Sequence, residues 1–207
     1  MIGALDALQR LREGNRRFLS SMRSRDAQSD HERRLQILDD HAPFAIVLGC
    51  SDARVPAEIV FDQGLGDLFV IRVAGNIVAP SQVGSVEFAA ERFGTRLVVV
   101  LGHSRCGAVS ATLEQLTRPS AAQSQNLRSI VDRVRPAVES LLGAGLAGEP
   151  QELLHHAVRA NIRMSADHLR HGSALLEKLI RDDGLLVVGA EYSLETGEVD
   201  FFDGVPG

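Results

Sequence analysis

The sequence predicts an α/β protein built on a mostly parallel central sheet. Short, wholly apolar runs such as Phe44-Ala45-Ile46-Val47-Leu48 alternate along the chain with stretches of helical period. A run without polar alternation suits a strand covered on both faces, which is how strands of parallel sheets sit. Strands that alternate with helices imply right-handed crossovers between parallel neighbours.

Residues 3–19 set Leu5, Leu8, Leu11 and Phe18 at near-helical intervals, predicting an amphipathic helix that is interrupted or ends near Gly14-Asn15. The charged residues 23–40 predict a second helix. Residues 44–48 form the first strand, closed by Gly49, and residues 68–73 the second. A helix over 83–93 stops at Gly94, a strand covers 97–101, and a helix covers 107–116. Residues 117–125, rich in Pro, Ser, Ala and Gln, read as a loop. Helical patterns follow over 127–142, where Pro136 breaks or kinks the helix, and over 151–181; the Gly/Ala/Pro segment 143–150 separates them. Residues 185–188 are a fourth buried strand and 198–202 a short fifth.

At 207 residues the chain forms one domain, 1–207, able to bury its own core. A net charge of −5 argues against a nucleic-acid partner, because phosphate binding needs a concentrated basic face. No run approaches the roughly 18 apolar residues of a membrane span. The first residues, MIGALDALQRLREGNRRF, lack a basic start, an apolar core and a cleavage site, so a cytoplasmic protein is expected.

The chemistry concentrates at two strand ends that resemble each other. Ile46-Val47-Leu48-Gly49 leads into Cys50-Ser51, and Val99-Val100-Leu101-Gly102 leads into His103-Ser104. The carboxyl edge of an open parallel sheet is where ligands bind. Cys106 follows His103 by three positions, so one turn of backbone aims both side chains at one point. Two thiolates and an imidazole suit zinc, and three protein ligands leave a fourth position for water. Each residue also has a plainer reading: a lone cysteine is usually a small buried hydrophobe, and a lone histidine after a strand is usually a hydrogen-bonded loop residue. Their joint placement at equivalent strand ends favours the metal. Asp52 and Arg54, two apart on a turn, can form a bidentate ion pair that fixes the carboxylate beside the metal. The remaining histidines, His155-His156 and the pair His168 and His171, which has metal-capable spacing but no third ligand nearby, read as helix-surface or packing residues. The helix start at Gly84-Ser85 reads as a cap rather than an anion site.

Cys-Ser-Asp-Ala-Arg-Val with His-Ser-Arg-Cys-Gly-Ala, and Arg-Val-Ala-Gly-Asn at residues 72–76, resemble the signature of beta-class carbonic anhydrases. The resemblance runs from Leu11 to Tyr192, nearly the whole chain. It implies a four-stranded parallel core with an edge strand, flanked by helices, and an active site at a dimer interface. Cys50, His103 and Cys106 would ligate one Zn2+ per subunit. Asp52 and Arg54 would be the catalytic dyad that orients zinc-bound hydroxide for attack on carbon dioxide, giving bicarbonate and a proton. The resemblance also allows a closed state with Asp52 as fourth ligand. Phe69, Phe88, Gly107 and His41 would contact substrate, His41 standing where relatives carry Gln and serving otherwise in proton transfer. The arm 1–40 would pack on a partner subunit in a homodimer or a dimer of dimers (a homotetramer). Val47 stands where bicarbonate-regulated members have Trp, so that regulatory pocket is expected to be incomplete despite Arg72 and Tyr192. Three rival readings stay open: hydrolysis of carbonyl sulfide by the same centre, a cysteine-nucleophile hydrolase using Cys50 and His103, and a non-catalytic zinc or bicarbonate module.

Overall fold

A computed structural model of the chain describes residues 2–22, 31–39, 41–118, 124–142 and 149–206. Among these, five strands form one sheet: β1 (Ala45–Gly49), β2 (Leu68–Arg72), β3 (Leu97–His103), β4 (Leu186–Tyr192) and β5 (Val199–Asp203), in the order β2-β1-β3-β4-β5. The first four are mutually parallel and β5 runs antiparallel along β4. The parallel core with one edge strand is therefore as expected.

The apolar runs are apolar throughout because both faces are covered. Alternate residues divide between two cores: Ile46, Leu48, Val98 and Val100 face one way, Ala45, Val47, Leu97, Val99 and Leu101 the other. On the first face lie α4 (Pro80–Arg92), α5 (Gly107–Thr117), α6 (Gln125–Leu142), α7 (Pro150–His171) and α8 (Ala174–Asp182). On the second lie α1 (Ala4–Leu19) and the short α3 (Ala57–Val60), a helix the sequence pattern does not announce. No helix among the described residues is long and apolar enough to cross a membrane.

Several expectations need correction. α1 runs unbroken through Gly14 and Asn15, which are packing residues rather than breakers. A Cβ on Gly14 would lie 1.8 Å from the Phe61 carbonyl oxygen, so only glycine lets α1 come this close. The buried Asn15 amide donates to the carbonyls of Val60 and Gly197 and accepts the Val199 N–H, tying α1 to α3 and β5. Leu8 and Leu11 are buried in the chain's own core, while Leu5 stays exposed. Only part of the predicted second helix is described, as α2 (His31–Gln36); residues 23–30 and 40 lie outside the described residues. α4 begins at Pro80, whose fixed φ suits a first helical turn, so Gly84 and Ser85 lie inside the helix and cap nothing. α6 continues through Pro136 without a break. The long predicted helix 151–181 divides at Gly172-Ser173, where the Ser173 hydroxyl caps α8 by accepting the Leu176 N–H.

Candidate metal centre

The chain passes from β1 to β2 on one side of the sheet and then crosses to β3 on the other, so the strand order reverses between β1 and β3. This is the switch point of an open sheet, where the two flanking connections diverge and leave a crevice. Register places Gly49 beside Leu101, so Cys50 and His103 emerge as neighbours at the carboxyl edge. Ser104 and Arg105 then turn the chain back. Arg105 takes φ +54°, a left-handed conformation that costs a non-glycine residue of order 1–3 kcal/mol and persists only where the surroundings hold it. Those surroundings include a salt bridge from Arg105 to Glu195, and the Ser104 hydroxyl, which donates to Glu195 at 2.7 Å and accepts the Leu194 N–H at 2.9 Å. The turn delivers Cys106 as the N-cap of α5.

The Sγ atoms of Cys50 and Cys106 and a ring nitrogen of His103 all lie within 4.8 Å of one another, and all three residues are buried. Zinc bond lengths would separate tetrahedral donor pairs by about 3.5–3.8 Å, inside that limit. His103 Nδ1 lies 2.9 Å from the Ser104 carbonyl. A carbonyl only accepts, so Nδ1 carries the proton and Nε2 presents a lone pair. That buried Nε2 has no hydrogen-bond partner. An unpaired acceptor at zero exposure is costly unless a cation takes it. With two soft sulfurs beside it, the donor set fits zinc.

The thiols titrate as a pair. The hydrogen bond from Cys106, supported by the Gly75 N–H, draws Cys50 down to about 4 against the opposing effect of burial. Cys106 moves upward, because Cys50 is already a thiolate beside it and because it is buried. Burial lowers the His103 pKa, but Cys50, the Ser104 carbonyl and Asp52 together outweigh it and the net shift is upward. Both thiolates at once require a cation between them.

Asp52 sits at the mouth of this cluster, its Oδ2 3.8 Å from His103 Nε2. Arg54 grips it through Nε on Oδ1 at 2.9 Å and Nη2 on Oδ2 at 2.7 Å, and the Arg54 backbone N–H also bonds Oδ1. This clamp holds the carboxyl well below the usual carboxylate range. Arg72, at the end of β2, donates to the carbonyls of Cys50 and Asp52, so the loop carrying both is pinned to the sheet. Gly107 is exposed beside Cys106, with open space where a side chain would be.

The other predicted substrate residues are elsewhere in the chain. His41, Phe69 and Phe88 meet around Phe93, with ring centroids 4.8 Å (His41–Phe93), 6.1 Å (Phe69–Phe93) and 5.9 Å (Phe88–Phe93) apart. Phe69 pairs in register with Ile46, four residues before Cys50, so this group lies about 13 Å along the sheet from the cysteines, at the amino end of β2. Strand direction thus carries these side chains to the edge of the sheet opposite their own chain's metal cluster. Among the described residues, Cys50, His103 and Cys106 are the only metal-capable group. His155 instead faces the buried carboxylate of Glu191, and His156 and His171 face the surface carboxylates Glu152 and Asp167, at 3.5–3.6 Å.

A sequence-family profile described as Carbonic anhydrase matches residues 45–199. The carbonic anhydrase of Mycolicibacterium smegmatis is 38% identical over 198 residues, covering 94% of this chain and 91% of its own. Two solved structures share the fold. A beta-carbonic anhydrase of Aspergillus fumigatus superposes with a TM-score of 0.75 at 23% identity, covering 85% of this chain and 83% of its own. A tetrameric beta-carbonic anhydrase of Sordaria macrospora superposes with 0.71 at 22% identity, covering 82% and 85%. Profile, relative and fold agree with the Cys-His-Cys cluster at the switch point, and the chain belongs to the beta-class carbonic anhydrase family of enzymes.

Proposed function

We propose that the chain catalyses the reversible hydration of carbon dioxide to bicarbonate and a proton, with one zinc per subunit held by Cys50, His103 and Cys106. One observation carries this: a buried, unpartnered His103 Nε2 faces two thiols, with a clamped carboxylate 3.8 Å away. Zinc held there would supply a water acidified toward neutrality, and hence a hydroxide nucleophile. Asp52 would accept a hydrogen bond from that nucleophile and direct it at carbon dioxide, while Arg54 keeps Asp52 ionised and oriented. Because Arg54 engages both carboxylate oxygens, the arrangement favours an open site over a closed state with Asp52 as fourth ligand. Gly107, lacking a side chain, leaves room for substrate beside Cys106.

In the same proposal, Phe69, Phe88 and His41 serve the site of a second copy, in a homodimer or dimer of dimers. Support comes from their distance from their own cluster, from the exposure of Phe88, and from a fold relative described as tetrameric. Leu5, the uncovered end of the α1 apolar face, is available to the same partner. His41 would then stand where an imidazole can take the departing proton.

The decisive test is stopped-flow carbon dioxide hydration with zinc stoichiometry on the same sample. Rate that tracks zinc content is expected. A fully loaded sample with no turnover ends the proposal, and activity that survives chelation but not thiol alkylation points to a cysteine nucleophile instead.

A further inference from the structure

We infer that Asn161 and Ser165 of α7 are positioning residues for the metal centre, holding the backbone of residues 75–76 so that the Gly75 N–H stays on the Cys50 sulfur. This rests on Cys50 being a metal ligand. The buried face of α7 is otherwise apolar, with Leu153, Ala157, Val158, Ile162, Ala166 and Leu169. Asn161 and Ser165, one turn apart, interrupt it at 1% and 4% exposure. Burying an amide and a hydroxyl is unfavourable without partners, so what they bond matters. Asn161 Nδ2 donates to the Gly75 carbonyl at 2.8 Å, and the Ser165 hydroxyl donates to the Asn76 carbonyl at 3.0 Å.

Those two carbonyls belong to consecutive left-handed residues, Gly75 at φ +71° and Asn76 at φ +44°. Gly75 adopts this region freely, whereas a left-handed Asn76 beside it is held there by its neighbours. The conformation aims the Gly75 N–H at Cys50 Sγ, 3.3 Å away. It also wedges Gly75 against the first turn of α5, where an added Cβ would come 3.1 Å from Ala108 Cβ, two residues past Cys106. α7 thus reaches the metal centre through a peptide that touches both cysteine-bearing segments. A hydrogen bond on a thiolate withdraws charge from the sulfur and fixes its direction, and partners of this kind tune a metal site without ligating it.

The test replaces zinc with cobalt(II), whose thiolate-to-metal charge-transfer band reports the sulfur directly. For Asn161→Ala the band is expected to move to longer wavelength, since a thiolate relieved of its hydrogen bond donates more strongly. Cobalt affinity, measured against a chromophoric chelator, should fall about tenfold or more. Val158→Ala, on the same buried face but with no hydrogen bond to lose, should lower thermal stability and leave the band in place. An Asn161→Ala protein that loses stability yet keeps the wild-type band and affinity would assign Asn161 to packing alone and overturn the inference. Should that variant not fold, Ser165→Ala decides: a smaller shift of the same sign supports the inference, and an unchanged band and affinity overturn it. A wild-type protein with no cobalt charge-transfer band would instead refute the ligand assignment itself.

Discussion

The two ends of the sheet are built from opposite materials. At the carboxyl edge of β1 and β3, thiols, an imidazole and a clamped carboxylate converge, held by left-handed residues and buried hydrogen bonds. At the amino edge of β2, three phenylalanines and a histidine form an open cluster, with Phe88 54% exposed. At the first end one chain supplies the donors and positions them: the Gly75 N–H lies on the Cys50 sulfur and the Ser104 carbonyl on His103 Nδ1. The second is an aromatic surface, apolar enough to shelter a small neutral molecule, with His41 as its one titratable group. A carbon dioxide site needs both kinds of surface, and one chain places them about 13 Å apart along the sheet.

The largest effect should follow from breaking the polar end. Cys106→Ser removes one of three ligands, and zinc content measured by metal analysis should fall below about a tenth of wild type, with activity following it. Retained stoichiometric zinc would place the metal elsewhere.

Asp52→Asn should leave zinc in place but lower kcat by about 10²-fold or more, because the amide neither holds a charge against Arg54 nor accepts as strongly. A near wild-type rate removes Asp52 from the mechanism.

The aromatic end gives a more moderate test. Phe88→Asp should leave zinc content untouched while lowering both activity and the assembled mass seen by light scattering. Loss of activity with the assembly intact would confine Phe88 to a substrate role. No change in either would make the amino edge ordinary surface.

The mildest expectation concerns pH and separates the ends by charge alone. Cys106 has its pKa raised, so in chelator-stripped protein it keeps its proton at neutral pH, and zinc uptake must displace it. One displaced proton raises apparent zinc affinity about tenfold per pH unit. The His103 pKa is raised as well, so the slope should steepen at lower pH, where the imidazole proton is also displaced. Proton release on zinc addition in weak buffer checks this, and a pH-independent affinity would contradict the shared-proton picture of the two thiols.

Much of this was legible in the chain itself. Wholly apolar runs and near-helical apolar patterns record local burial, so the strands and most helices could be read directly, as could ligands that follow Gly49 and Gly102 at matching strand ends. What was misread in α1 has a long-range cause. Gly14 and Asn15 look like breakers because their partners, Phe61, Val60, Gly197 and Val199, are 45 or more residues away in sequence. Asn161 and Ser165 look like ordinary polar positions, although two polar residues one turn apart on an apolar stripe were the available signal.

By itself the sequence determined which residues would be buried, which would carry the chemistry, and that strands and helices would alternate. Only the tertiary structure decided that Cys50, His103 and Cys106 meet while Phe69, Phe88 and His41 gather at the other edge. The physical reason is that apolar period encodes burial residue by residue, whereas proximity between distant segments depends on strand order and direction, which the packed crossovers settle together.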